Sequence, residues 1–332
     1  MRFQIKFVLG YPQDAKGNYG YQISNGIDLF GGQLFGAWYA FNAVAIFGFT
    51  RHYVATSGDH AFLSEVAGSR TVLDWLRLLS ADWKNRTLTE IGEPCLADYG
   101  SFAGDFLECV PTYINAVAAL QAGNAWMSTE MAALERAVVR SAERAAALVK
   151  DAKCITDAVL RRQYIPQRGF FSTVNGSNKS TDVRTVVDFQ TCGRWLGREV
   201  LGDERAAEMA SFFHRELDRP ALGWPIALSR SDQLKYIDRP DHGTTGSYAS
   251  WPGLAFETLA ELEGNFSTAM PFFLRTAPSA RQGPYGQDQG VSIGPNEDVF
   301  AFKTTVGATR CVYCPHTCGF SFVCGLRSAA ES

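Results

Sequence analysis

Two kinds of helical segment alternate along this chain, and this alternation constrains its fold more than any other feature. Residues Leu34–Val54 are apolar on nearly every face of a helix, which is typical of a helix buried on several sides. The following segment, Glu65–Trp83, is amphipathic, with apolar positions at helical spacing. Together they predict a helical hairpin with one inner and one outer helix.

The same alternation continues through the rest of the chain. A second inner helix is predicted to begin at Pro111, because proline is favoured as the first residue of a helix. The Ala-rich segment Glu130–Tyr164 has one polar side and predicts an outer helix. Further helices are predicted over Thr185–Leu201, Asp203–Leu217, Trp251–Glu263 and Ser267–Arg275. The pattern breaks at Gly169–Arg184, where the turn signal Asn175-Gly176 predicts one short β-hairpin near residues 169–184.

These segments predict an all-α fold of stacked helical hairpins, either a closed α/α toroid or an open solenoid. The sequence has no fixed-period repeat to favour the solenoid, and no Gly/Ser-rich or charged linker to divide the chain. We therefore expect one helical domain over residues 31–307, preceded by an irregular segment over 1–30 and followed by an irregular, Cys-rich tail over 308–332.

Composition limits the partners of this 332-residue chain. Its formal net charge is -3 and no run of Lys or Arg is long, so neither nucleic acid nor an anionic membrane is an expected partner. No apolar run reaches the roughly 18 residues of a membrane span, and no signal peptide is visible, so a soluble, cytoplasmic protein is expected. Four N-glycosylation sequons stand at Asn85, Asn175, Asn178 and Asn265 and would matter in a secreted eukaryotic protein, but such triplets often arise by chance and, with no signal peptide visible, they do not indicate secretion by themselves.

The eight cysteines fall into two groups. Four are scattered through apolar segments and are predicted to be small buried hydrophobes: Cys95, Cys109, Cys154 and Cys192. The others crowd the tail with His316, where zinc binding is a minor alternative: Cys311, Cys314, Cys318 and Cys324. No second pair stands at finger-like spacing, so neither a metal nor another cofactor is predicted.

Three carboxylates lie in the Gly-punctuated loop that precedes the second inner helix: Asp98, Asp105 and Glu108. Glu108 has apolar neighbours, and desolvation raises the pKa of such a carboxyl group and suits it to donate a proton. The positive end of the following helix would act in the opposite direction. Glu108 is therefore a candidate general acid, with a substrate-binding carboxylate or a helix cap as alternatives.

Two further loops carry polar and aromatic residues that suit a sugar. The loop Asp238–Pro252 combines Asp241, Arg239 and His242, which can bind hydroxyl groups, with Tyr248 and Trp251, which can stack on a pyranose. A surface loop whose Asp residues cap turns is the alternative. The loop Gly283–Gly290 places Gln287 and Asp288 between glycines, where either a second catalytic carboxylate or an ordinary turn former can stand.

Other reaction classes have no motif in this chain. The sequence contains no GxSxG, HExxH or P-loop, and no GxGxxG opening a helix after a strand. Four segments instead resemble, in the same order, segments of the six-hairpin (α/α)6-toroid glycoside hydrolases. They are the segment that begins ADYGSFAGDFLECVP, then VRTVVDFQTCGRWLG, DRPDHGTTGSYASWP and GPYGQ. The resemblance is to the mannosylglycerate hydrolase-like branch, which is related to trehalase and processing α-glucosidase, and it extends from about Trp38 to Gln287.

This resemblance implies an (α/α)6 toroid, complete or incomplete, and hydrolysis of a glycosidic bond with inversion. It implies Glu108 as the general acid, because Glu-Cys-Val-Pro stands where the relatives carry an acid at the start of an inner helix. The relatives' base is a late Glu, but here the region reads Asp288-Gln289-Gly290, so Asp288 or Asp241 would activate water. The expected sugar-binding residues are Trp38, Asp98, Trp126, Arg239, His242, Tyr248, Trp251 and Gln287. A catalytically inactive carbohydrate-binding remnant is the main alternative, and a protein-binding helical scaffold is a third.

Overall fold

The computed structural model describes residues 1–10, 24–27, 34–38, 40–88, 92–100, 110, 112–174, 180–181, 183–218, 251–279, 288–293 and 299–304. Within these ranges the α-helices are α1 (Arg2–Gly10), α2 (Phe41–Ser57), α3 (Val72–Ala81), α4 (Ala118–Leu134), α5 (Ala142–Arg162), α6 (Val186–Phe212), α7 (Trp251–Glu263) and α8 (Phe266–Ser279). Single turns of 3-10 helix (His60–Ser64, Asp82–Arg86) and π-helix (Glu135–Val139, Phe213–Leu217) extend or join them.

The described strands are short and form two-stranded antiparallel pairs. They are β1 (Ser24–Ile27) with β2 (Leu34–Trp38), β3 (Val66–Ala67) with β4 (Arg70–Thr71), β5 (Thr87–Leu88) with β6 (Glu93–Ala97), β7 (Tyr164–Ile165) with β8 (Phe170–Phe171), β9 (Thr173–Val174) with β10 (Ser180–Thr181), and β11 (Asp288–Ile293) with β12 (Val299–Thr304). The β9–β10 pair matches Ser180 with Val174 and confirms the hairpin predicted near residues 169–184. The helices therefore form the body of the fold, and the short strands lie in the segments that connect them.

Helix α6 is itself a hairpin. Gly197 and Gly202 have φ of 71° and 78°, a left-handed backbone that favours glycine, and they reverse the chain between two helical arms. The rings of Phe189 on the first arm and Phe213 just after the second stack with their centroids 4.8 Å apart. This contact between distant positions shows that the two arms run antiparallel.

Four inner helices lie side by side and run parallel. They are α2, α4, the first arm of α6, and α7. Close approaches join α2 to α4 (Val44 with Gly123, Gly48 with Trp126), α4 to α6 (Ala119 with Asp188, Trp126 with Trp195) and α6 to α7 (Gly193 with Thr258, Gly197 with Glu261). In every pair the residue numbers rise together, which requires parallel axes. The outer helices α3 and α5, the second arm of α6, and α8 return between them.

Parallel inner helices joined through antiparallel outer helices make up four helical hairpins in the described part of the chain. This arrangement confirms the predicted all-α toroid of helical hairpins. Helix α7 has the bounds predicted from the sequence, because its periodicity and its ends are encoded locally. The division into three domains stays a prediction.

Several predicted boundaries are wrong. Leu34–Trp38 is strand β2 and not the first part of a helix, and α2 begins at Phe41. Residues 112–117 are not helical, so α4 begins at Ala118 rather than at Pro111, which lies outside the described residues. Residues Arg2–Gly10, expected to be irregular, form helix α1, which packs with its buried Ile5 and Leu9 toward the core.

Cys95 and Cys154 form a disulfide bond, with their Cα atoms 5.8 Å apart, and are not the separate buried hydrophobes predicted from the sequence. The bond joins β6 to the outer helix α5. Arg161 and Arg162 of α5 reinforce this junction by pairing with the two oxygens of the buried Glu93, at 2.9 and 2.8 Å. Cys192 is a buried free thiol, as expected, and Cys109 lies outside the described residues.

No helix in the described ranges combines the length and the apolar character needed to cross a bilayer.

Candidate functional site

The amino-terminal ends of the inner helices meet at one end of the helical array, because these helices are parallel. Helix α2 starts at Phe41, α4 at Ala118, α6 at Val186 and α7 at Trp251. Backbone N–H groups are unpaired by the helix at such ends and carry a partial positive charge, which suits them to bind anionic or hydroxyl-bearing groups. This end, here called the amino-terminal face, is the candidate site.

The segment that contains Asp98 is fastened to the chain just before α4. The Tyr99 N–H donates to the Asn115 carbonyl at 3.2 Å, and the Asn115 N–H donates to the Gly100 carbonyl at 2.9 Å. Asn115 has a φ of 66°, a left-handed conformation that Asn adopts more readily than most residues. Residues 101–109, which hold Asp105 and Glu108, lie between these fastened flanks and outside the described residues.

Asp98 is half-buried at this junction, and its Oδ1 accepts two hydrogen bonds. The Gly100 N–H donates at 2.7 Å and the Asn115 Nδ2 donates at 2.9 Å. These bonds shape the backbone turn, so the described role of Asp98 is to hold the loop. Its predicted contact with sugar stays a prediction.

A buried polar framework supports the same face from below. The Gln121 side chain of α4 bonds both the N–H and the carbonyl of Ala97, each at 2.9 Å. The Tyr99 hydroxyl pairs with the Asn124 amide, at 2.8 to 3.0 Å. Strand β6 and the residues after it are therefore held against α4 by hydrogen bonds made away from water, where each bond resists loosening.

Asp188 joins the starts of α4 and α6 and is almost completely buried. Its Oδ1 accepts hydrogen bonds from the Tyr113 hydroxyl at 2.7 Å and from the Ala119 N–H at 2.9 Å, and its Oδ2 accepts one from the Thr185 hydroxyl at 3.1 Å. Burial raises the pKa of Asp188 to about 7, although the three hydrogen bonds favour the carboxylate. With all its partners inside the protein, Asp188 positions two inner helices.

Trp126 lies in an aromatic cluster rather than alone. It stacks on Trp195 with centroids 5.4 Å apart, and Trp195 in turn stacks on Phe41 at 5.6 Å. Phe47 meets Trp126 edge to face at 5.5 Å. Both tryptophans are half-buried, so the cluster packs α2, α4 and α6 together and leaves only part of each indole for a ligand.

Most of the predicted site residues lie outside the described residues: Glu108, Arg239, Asp241, His242, Tyr248 and Gln287. For three others only the backbone is described. Trp38 ends β2 two residues before Ala40, and Trp251 is the first residue of α7, so both are at the amino-terminal face. Asp288 begins β11, paired with Thr304, and is extended rather than placed in a turn.

Sequence reasoning missed Asp188, Asn115 and Trp195. Thr185 and Asp188 follow the capping-box spacing, which was the available signal for a helix start, but the bonds to Tyr113 and Ala119 are long-range. Trp195 stands in a segment assigned only to an inner helix. Within the described residues no group of three or more His, Cys, Asp or Glu side chains could hold a metal ion.

No protein-family model matches this chain, and no curated protein matches it in sequence. Solved structures do match its fold. A rhamnosidase from Klebsiella oxytoca, solved with rhamnose bound, has a TM-score of 0.52 at 11% identity over 84% of this chain and 44% of its own. A GH78-family rhamnosidase from Bacillus sp. GL1 has a TM-score of 0.48 at 14% identity over 72% of this chain and 21% of its own.

Neutral trehalase from Saccharomyces cerevisiae has a TM-score of 0.43 at 14% identity over 83% of this chain and 48% of its own. These matching proteins are glycoside hydrolases, and the chain spans less than half the length of each. At such low identity the Klebsiella oxytoca match shows a shared fold.

Proposed function

We propose that this chain is a glycoside hydrolase that acts at the amino-terminal face of its inner helices. One observation supports the proposal: the described starts of the parallel inner helices, which the segments predicted to bind sugar adjoin in sequence, lie at a single end of a glycosidase-like fold. Trp38, Asp98 and Trp251 come from segments that are far apart in sequence, yet all stand at or beside inner-helix starts.

Glu108 is the proposed general acid. It precedes the buried Val110 by two residues, so chain connectivity keeps its Cα within about 7 Å of that residue's Cα. The Tyr113 N–H fixes the Val110 carbonyl at 2.9 Å, close before the start of α4. A carboxyl group at this position would protonate the leaving oxygen of a glycosidic bond.

Asp288 or Asp241 is the proposed base. An inverting hydrolase separates its two carboxyl groups by about 6.5–9.5 Å, so that a water molecule fits between the base and the sugar. Asp241 belongs to the segment that ends at Trp251, the first residue of α7. Asp288 follows α8, whose carboxyl end returns to the amino-terminal face because α8 runs back along α7. Both segments are therefore connected to this face.

The activity is tested by screening aryl glycosides and disaccharides, with rhamnosides included because of the rhamnose-bound neighbour. For a substrate with a poor leaving group, Glu108→Gln is expected to lower kcat by about 10²–10⁴-fold. Asp105→Asn, a change of a carboxylate in the same loop, is the matched control and should keep most activity. Full activity of Glu108→Gln on a poor leaving group would show that another residue is the acid.

The base and the stereochemistry are tested together. NMR of the first sugar released should show the anomer opposite to that of the substrate. Asp288→Asn and Asp241→Asn are compared to identify the base. The variant that lacks the base should lose activity equally on aryl and natural substrates, because water activation does not depend on the leaving group. Sugar binding without turnover in the wild type would reject the hydrolase and favour the inactive carbohydrate-binding remnant.

A further inference from the structure

We propose that this chain matures in an oxidising, glycosylating compartment, and that Asn265 and Asn85 carry N-linked carbohydrate. The proposal is independent of the glycosidase function. It connects two features that the proposed activity does not use: the Cys95–Cys154 disulfide and the sequons whose Asn side chains are exposed.

The disulfide argues against the cytoplasmic location expected from the sequence. Cys154 is exposed on α5, so glutathione-type thiols of a reducing compartment would reach its sulfur. Bond formation removes two protons and two electrons from the two thiols and passes the electrons to a disulfide-bearing oxidant of the compartment. Among the described cysteines the free thiol is Cys192, which is buried and does not compete for the pairing.

Asn265 is exposed between α7 and α8 in the sequon Asn265-Phe266-Ser267. Its Oδ1 accepts the Ser267 N–H at 2.8 Å, which caps the start of α8. Carbohydrate is attached through Nδ2, the other branch of the amide, so the modification leaves the cap intact. The atom that would carry the glycan is therefore not the atom that caps α8.

Asn85 is exposed in the 3-10 turn Asp82–Arg86, in the sequon Asn85-Arg86-Thr87. Its side chain hydrogen-bonds the Asp82 carboxylate, which Arg86 also holds at 3.0 Å. A glycosylated amide keeps one N–H, which remains available to donate to Asp82. Asn175 and Asn178, the Asn residues of the other two sequons, lie outside the described residues.

In the transfer step, the Asn Nδ2 attacks the anomeric carbon of an oligosaccharide carried on a lipid pyrophosphate. The new bond joins that carbon to Nδ2 as its bond to the pyrophosphate oxygen breaks. The lipid pyrophosphate leaves with the electron pair, and one amide proton goes to solvent. The donor is the lipid-linked oligosaccharide of the secretory compartment.

The test uses the full chain isolated from the cells that produce it, with free thiols alkylated at lysis. Non-reducing peptide mapping is expected to find the peptides of Cys95 and Cys154 joined and unalkylated. Enzymatic removal of N-glycans in heavy-oxygen water is expected to convert Asn265 and Asn85 to labelled aspartate. Alkylated Cys95 and Cys154, or an unmodified Asn at either sequon, would overturn the proposal.

A matched pair of variants made in the same cells checks the site at α8. Ser267→Ala destroys the sequon but keeps Asn265 and the backbone N–H that it caps, so the glycan should disappear while the fold is retained. Ser267→Thr preserves the sequon and should keep the glycan. Equal modification of both variants at Asn265 would mean that the label is not sequon-dependent and would overturn the assignment.

Discussion

At the scale of single residues, the buried carboxyl group of Asp188 joins the starts of two inner helices at the candidate site. Its two oxygens receive donors from the start of α4, from Tyr113 and from Thr185, so one side chain sets the spacing of two inner helices. Burial raises its pKa from 3.8 to about 7, which links this junction to pH. The network is polar, specific and away from solvent.

Asp188→Asn is expected to remove part of the pH dependence of folding. A carboxyl group whose folded pKa is raised stabilises the protein fully below its unfolded pKa and loses this contribution as the pH rises through its folded pKa. The wild type should therefore lose on the order of 2–4 kcal/mol of unfolding free energy between about pH 4 and about pH 7 through this group. Denaturant titrations across this range measure it; parallel pH curves for variant and wild type would contradict it.

Gly169→Ala is expected to destabilise the chain by about 3 kcal/mol or more, because a Cβ there would overlap the Glu208 backbone and meet a left-handed φ of 69°. Gly58→Ala is the matched control. Gly58 has a similar φ of 68° but nothing within 4 Å of the added atom, so only the backbone cost of about 1–2 kcal/mol applies. Equal thermal shifts for the two variants would show that the close approach is absent.

At the scale of elements, the junction of β6 with α5 is fastened by one covalent and two ionic links. The Cys95–Cys154 bond closes a loop with a sequence separation of 59, and Glu93 holds Arg161 and Arg162 nearby. Residues 101–109 and the start of α4 fall inside that loop. The fastening therefore holds β6, the strand that precedes this segment in sequence, against the outer helix α5.

Cys154→Ser is expected to lower the free energy of unfolding by up to about 4 kcal/mol, the loop-closure entropy of a loop of this length. Denaturant unfolding with and without a reducing agent measures the effect. Reduced wild type and the variant should unfold at the same midpoint, because both lack the crosslink. A wild-type midpoint that does not change on reduction would contradict the prediction.

At the scale of the whole molecule, the hairpins depend on one another through their inner helices. The stack of Phe41, Trp195 and Trp126 joins three hairpins in succession, and the approaches of Gly48 and Gly123 to the indole rings allow the helices to come close. Buried apolar residues of the described helices, from Ile5 of α1 to Ala269 of α8, form one continuous hydrophobic core. A change that loosens one hairpin is therefore expected to weaken the packing of its neighbours.

Trp195→Ala is expected to destabilise the molecule by about 2–4 kcal/mol, somewhat less than a fully buried tryptophan would, because Trp195 is half-buried. Trp195→Phe should retain much of the stacking with Phe41 and Trp126 and lose less. Calorimetry measures the stability, and the coupled Trp126–Trp195 signal in circular dichroism should vanish in both variants. Equal stability of Trp195→Ala and the wild type would show that the hairpins do not couple through this cluster.

The sequence by itself determined the helical class of the fold and the alternation of buried and amphipathic helices, but not all of their boundaries. Helix α7 and the β9–β10 hairpin were predictable because periodicity and turn residues act over a few neighbours. The start of α4 was not, because Asn115 pairs with Gly100 across a loop and keeps residues before Ala118 out of the helix. The local signal of Pro111 favoured an earlier helix start, but the backbone pairing of Asn115 with Gly100 outweighed it.

Only the tertiary structure decided which distant residues meet. The parallel order of the inner helices, the Cys95–Cys154 bond and the donors of Asp188 all join positions dozens of residues apart, and no local pattern encodes such pairs. Composition and periodicity specify what a segment buries, because burial follows from side-chain chemistry. Which partner covers it depends on the packing of the whole chain, and that packing brings the starts of the inner helices to one face.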